Sequence, residues 1–82
     1  MAIRGRRTAI LHTREHRALV RALRHARDDA GLTQIELAHR LRRPQSFVAK
    51  YENAERHLHV IEFLRITDAL RIDPCAILRQ IK

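Results

Sequence analysis

The stretch "LTQIELAHRLRRPQSFVAKYEN", residues 32–53, limits the fold more than any other part of this chain. Leu37, Ala38 and Leu41 recur at helical spacing, and Val48 and Tyr51 do so again just past the Arg42-Arg43 break. Thr33, with Glu36 three positions on, is a capping-box pattern that opens the first of these helices. Pro44 is tolerated in the first turn of the second, which the pattern carries to about Asn53. Two short helices with so brief a connector must cross steeply. One face of the second then packs inward and the opposite face projects. Ala38, in the middle of the first, is small enough to allow a close crossing. Val48 and Tyr51 take the inner face of the second helix, with Phe47 at its edge, and Gln45, Ser46, Ala49 and Lys50 are left outside.

The same reasoning extends over the rest of the chain. From about Arg14 to Asp29, Leu19, Leu23, Ala26 and Ala30 recur at one helical face, and Gly31 stops that helix by accepting the left-handed conformation. Residues 54–58 read as a loop. A fourth helix covers roughly 59–70, with Val60, Phe63, Ile66 and Leu70 near one face. Asp73-Pro74 is an N-cap followed by a first-turn proline, so a short fifth helix carries Ile77, Leu78 and Ile81. Residues 8–13 are compatible with either an extended segment or a helix start. No run alternates as a strand would, so the expected class is all-α. At 82 residues there is one domain, 14–82, preceded by a basic arm, 1–13.

Charge points to a partner. The chain carries +8, and residues 1–27 hold eight arginines against the single acid Glu15. Residues 28–82 are nearly balanced, with nine bases and eight acids. Such an excess favours a polyanion. Arg4, Arg6, Arg7 and Arg14 in particular can follow a nucleic-acid backbone or reach into a minor groove. A lone cysteine, Cys75, suits a reducing cytoplasm, and no apolar run approaches a membrane span. His12 and His16, and His57 and His59, are spaced suggestively, but no compact set of four ligands accompanies them, so no metal or other cofactor is expected. No nucleophile–base pair or phosphate-binding glycine loop suggests an enzyme.

Taken together, "LTQIELAHRL…PQSFVAKYENAER…FLRITDALRIDP" resembles the Cro/repressor-like helix-turn-helix domains of the Xre family over about residues 19–81. The resemblance implies a five-helix, lambda-repressor-like fold whose third helix enters the major groove of double-stranded DNA. It implies a transcriptional regulator, and the expected form is a repressor binding a palindromic operator as a homodimer. Helix five and its approach to helix four are the expected dimer surface, where Ile77, Leu78 and Ile81 exceed what a small core requires, unless they simply close that core. Base edges then fall to Gln45, Ser46, Ala49 and Lys50. Phosphates fall to Thr33, Gln34, Arg43, Asn53, Arg56 and His57. Arg27 and Glu52 stand where the family keeps an ion pair between its first and third helices. The second reading is an antitoxin-like module that neutralises a toxin partner and regulates itself through DNA. Arg42 and Ala54 depart from the pattern, since relatives carry glycine there. Either a non-glycine residue takes a left-handed turn or the turn is reshaped.

Overall fold

The computed structural model describes residues 11–81, so Arg4, Arg6 and Arg7 of the basic arm lie outside the described residues. Five helices follow in order: α1 (Arg14–Asp29), α2 (Gln34–Leu41), α3 (Gln45–Glu52), α4 (Val60–Ala69) and α5 (Pro74–Arg79). No strand occurs among the described residues.

Three of the five helices start at a residue whose side chain accepts from an open N–H group, whereas α3 starts behind Pro44 without such a bond. The Thr13 hydroxyl accepts from the His16 N–H at 3.1 Å and starts α1. At α2 the capping box is reciprocal. The Thr33 hydroxyl accepts from the Glu36 N–H at 3.1 Å, and the Glu36 carboxylate accepts from the Thr33 N–H at 2.8 Å. The bond from the Thr33 N–H, and then one from the Thr33 side chain, hold the Glu36 carboxyl below its ordinary value. Asp73 caps α5 through the Cys75 N–H at 2.9 Å, with Pro74 in the first turn.

The helix ends share one device. After α1, α2, α3 and α4 a residue turns left-handed: Gly31 (φ 73°), Arg42 (φ 56°), Ala54 (φ 57°) and Arg71 (φ 57°). In each case the following N–H reaches back five residues: Leu32 to Arg27, Arg43 to Ala38, Glu55 to Lys50 and Ile72 to Thr67, at 2.8–3.2 Å. Only the first of the four residues is glycine. A side chain in this region costs about 1–2 kcal/mol, so three of the four ends bear strain that the closing hydrogen bonds and the packing offset. The question left by Arg42 and Ala54 is answered: non-glycine residues take the turn. Arg71 is a third case that the sequence pattern did not flag.

Leu23 from α1, Leu37 and Ala38 from α2, Val48 and Tyr51 from α3, Phe63 and Ile66 from α4 and Ile77 from α5 meet in one core. Ala38 is buried at the α2–α3 crossing, as its size suggests. Arg40 ties α2 to the end of α4 by donating to the Ala69 carbonyl at 3.1 Å. Two expected inward positions differ. Val60, the first residue of α4, is 69 % exposed because the buried arc of that helix runs through Glu62, Phe63, Ile66, Thr67 and Leu70. Ala30 caps α1 and faces solvent. Of the α5 trio, Ile77 closes the core, Ile81 is half-buried and Leu78 is exposed.

Candidate nucleic-acid interface

Helix α3 is held from below and open above. Phe47, Val48, Tyr51 and Glu52 are buried, whereas Gln45, Ser46 and Lys50 are exposed and Ala49 is half-buried. Phe47 packs edge-to-face on Tyr51, with ring centroids 5.5 Å apart, and this settles its place in the core. The Lys50 ammonium pairs with no acid among the described residues, so its charge is directed to the outside.

A chain of polar contacts runs from the interior to this outer face. The Arg27 guanidinium grips the Glu52 carboxylate through two N–H donors, at 2.8 and 3.0 Å. Its remaining terminal nitrogen donates to the Leu32 carbonyl at 2.8 Å. The side chains of the pair are 9 % and 1 % exposed, and the bonds to Glu52 raise the Arg27 pKa against the opposing effect of burial. Glu52 also accepts from the Gln34 amide at 2.9 Å, and the Gln34 carbonyl accepts from the Gln45 amide at 3.2 Å. The outermost residue of α3 is thus tied, through two relays, to a buried arginine of α1. Tyr51 beside it has a buried hydroxyl with no hydrogen-bond partner among the described residues, and burial, followed by the Glu52 charge, pushes its pKa up.

A second cluster flanks the other side of α3. Arg43, before the helix, and Arg56, after it, both lie over the Phe47 ring, at 4.1 and 4.8 Å from its centroid. Both also converge on Glu62 of α4. Arg56 donates twice to its carboxylate, at 3.0 and 3.1 Å, and the His59 N–H donates at 3.2 Å. Arg43 and the His59 ring stand 3.6 Å from the same carboxylate. Burial alone would raise the Glu62 carboxyl. The hydrogen bonds from Arg56 and the His59 N–H, with the neighbouring positive charges, outweigh it and hold the group below its ordinary value. Glu62 was not singled out from sequence. The available signal was an acid three residues after His59, at the start of a helix.

Among the remaining expected residues, Thr33 is occupied as the α2 cap, and Asn53 is exposed at the end of α3. His57 is half-buried, edge-on to His16 at 6.2 Å. Burial, and then the His57 charge, lower the His16 pKa. His12 precedes the cap of α1, so it does not share a helical face with His16. Among the described residues no group of three or more His, Cys, Asp or Glu side chains is arranged to hold a metal, and no helix is long and apolar enough to cross a membrane. Cys75 is an exposed free thiol in the first turn of α5.

A helix-turn-helix domain family profile matches residues 18–79. Among solved structures, an XRE-family like protein from Pseudomonas syringae pv. tomato str. DC3000 is 50 % identical, with a TM-score of 0.80 and 90 % of each chain covered. The clp gene regulator ClgR from C. glutamicum is 25 % identical, with a TM-score of 0.76, covering 82 % of this chain and 86 % of that one. No curated protein sequence matches.

Proposed function

Since this chain belongs to the Xre helix-turn-helix family of DNA-binding transcription regulators, we propose that it represses by occupying a palindromic operator as a homodimer. The observation that carries this reading is the division of α3. Its apolar residues are sunk in the core, and Gln45, Ser46 and Lys50 stand exposed on a helix short enough to enter a major groove.

In this reading Gln45 recognises adenine, donating to N7 and accepting from N6, with its amide oriented in advance by Gln34. Ser46 accepts or donates as the neighbouring base requires, Ala49 meets a thymine methyl, and Lys50 reaches guanine or a phosphate. Thr33, Gln34, Arg43, Asn53, Arg56 and His57 ring this face and serve the phosphates. Arg56 does so least, because both its terminal nitrogens are committed to Glu62. Val60, Ile61 and Leu64 on the outer face of α4, 69, 53 and 43 % exposed, are the apolar surface offered to a second copy, with Leu78 of α5 adding to it. Two half-sites about 34 Å apart suit such a dimer. A DNA ligand and the lone cysteine Cys75 support a cytoplasmic location.

Selection of bound sites from random duplexes tests the reading. A palindrome should emerge, and the Gln45→Ala/Ser46→Ala double variant should lose preference for it while keeping non-specific affinity. A double variant that binds the selected site as tightly as the parent rules out this assignment of the reading residues. Recovery of a stoichiometric protein partner in place of a palindrome would favour the toxin-neutralising alternative.

A further inference from the structure

Four arginines of α1 form a stripe that the recognition surface does not use. Arg14, Arg17, Arg21 and Arg24 follow one another at three, four and three residues, which aligns them along one face of the helix. All four are exposed. Among the described residues none makes an ion pair or a side-chain hydrogen bond. Like charges at this spacing destabilise a helix, and α1 carries them with Glu15 as the sole acid before its last turn. The stability of α1 rests instead on its buried residues, with Ala22 and Leu23 turned away from the stripe into the core. An arrangement unfavourable to the free protein becomes favourable when an anion with regularly spaced charges lies along it.

Position identifies that anion. Arg17, Arg21 and Arg24 form one wall of a shallow groove of about 300 Å³, with Val20 at its base and Glu52, Asn53 and Ala54 opposite. The Glu52 charge is masked there by Arg27, so the groove is positive and leads directly into the end of α3. From Arg14 to Arg24 the helix rises about 15 Å, the axial length over which one DNA strand presents about four phosphates. The residue type fits as well, because a guanidinium meets a phosphate with two parallel N–H donors where an ammonium offers a point charge.

We infer that the α1 stripe is a second backbone-binding surface, engaging phosphates of the duplex that flank the sequence read by α3. The inference rests on the DNA-binding reading and adds to it a footprint wider than the sequence recognised. Contacts of this kind carry no base information. They set affinity and salt dependence and leave specificity to α3.

The test compares the parent with an Arg17→Gln/Arg21→Gln/Arg24→Gln variant, whose changes are all at exposed positions and keep good helix formers. Each binds two duplexes across a KCl series: the selected site with long flanks, and the same site trimmed to the bases whose identity matters. On the long duplex the variant should lose about 0.9 from the log–log salt slope for each arginine engaged, a total of roughly 2–3. On the trimmed duplex parent and variant should converge, and the bases preferred should not change. Equal slopes on the long duplex overturn the inference, as does a loss of the same size on both duplexes, which would reflect net charge alone. A parent that binds neither duplex overturns the DNA reading itself. A parent that binds both with flank-independent slope overturns only the role of α1.

Discussion

Two glutamates brace α3, one on each side, and they do so in different surroundings. Glu52 belongs to α3 itself and is closed off with Arg27, each side chain almost wholly removed from water. Glu62 comes from α4, and the arginines gathered on it keep much of their surface in solvent, 44 % for Arg43 and 33 % for Arg56. The first pair balances its charge, and one carboxylate cannot neutralise the two arginines of the second cluster. The contrast separates a fixing role from a presenting role. A buried pair holds the helix at one angle, because removing either member strands a charge. A half-exposed cluster tolerates such a loss, because its arginines can turn to water. It also leaves positive charge beside the outer face of α3.

The sharpest way to break this comparison is to delete each carboxylate in turn. Glu52→Ala should destabilise by about 3–5 kcal/mol in urea unfolding, since Arg27 is left buried and unpaired. Glu62→Ala should cost roughly 1–2 kcal/mol, the value of charged hydrogen bonds partly replaced by water. Equal losses would mean that the two sites do not differ in kind.

Acid sharpens the same distinction. Because the folded Glu62 pKa lies below its ordinary 4.5, its contribution is complete above that pH and is lost as pH falls below 4.5 through the folded value. The parent's urea midpoint should therefore drop more steeply in this window than that of Glu62→Gln. Parallel curves would show that the carboxylate is not held in its charged form by Arg56 and the His59 N–H.

A smaller effect concerns the turn next to the second cluster. Arg42→Gly removes a left-handed side chain and should raise stability by about 1 kcal/mol, read as a shift of the urea midpoint. A decrease would show that the Arg42 side chain contributes more than its backbone strain costs. The smallest change is on the buried side. Tyr51→Phe deletes a hydroxyl that has no partner among the described residues and should leave stability unchanged or higher by up to about 1 kcal/mol, with DNA affinity unaltered. A clear loss would mean that the hydroxyl has a partner, such as a water.

These contrasts also mark what the sequence made legible. The helices were readable because their signals are local: a threonine and a glutamate three apart, a proline after an aspartate, and apolar residues at one period. The division of α3 was readable for the same reason. The burial of Glu62 was not, because its partners come from the connectors on either side of α3 and meet only once Phe47 provides a surface for both. Val60 was misplaced because apolar spacing gives the direction of a face without showing where neighbouring helices stop covering it. Arg71 escaped notice since nothing in "LRID" announces a left-handed turn; only the repeated end geometry makes it visible. The α1 stripe was present in the spacing of its arginines, but spacing alone could not show that no acid folds back onto them.

The relay from Glu52 through Gln34 to Gln45 has a consequence for how such a protein acquires a new target. Gln45 is coupled to its neighbour, because a replacement without a donor leaves the Gln34 carbonyl without its partner and frees that side chain to turn. On the proposed reading, in which Gln45 contacts bases, a change of preferred operator would therefore involve Gln34 of α2 as well as Gln45 of α3. On that reading, transplanting only the outer residues of α3 into a relative would leave behind the α2 residue that orients Gln45.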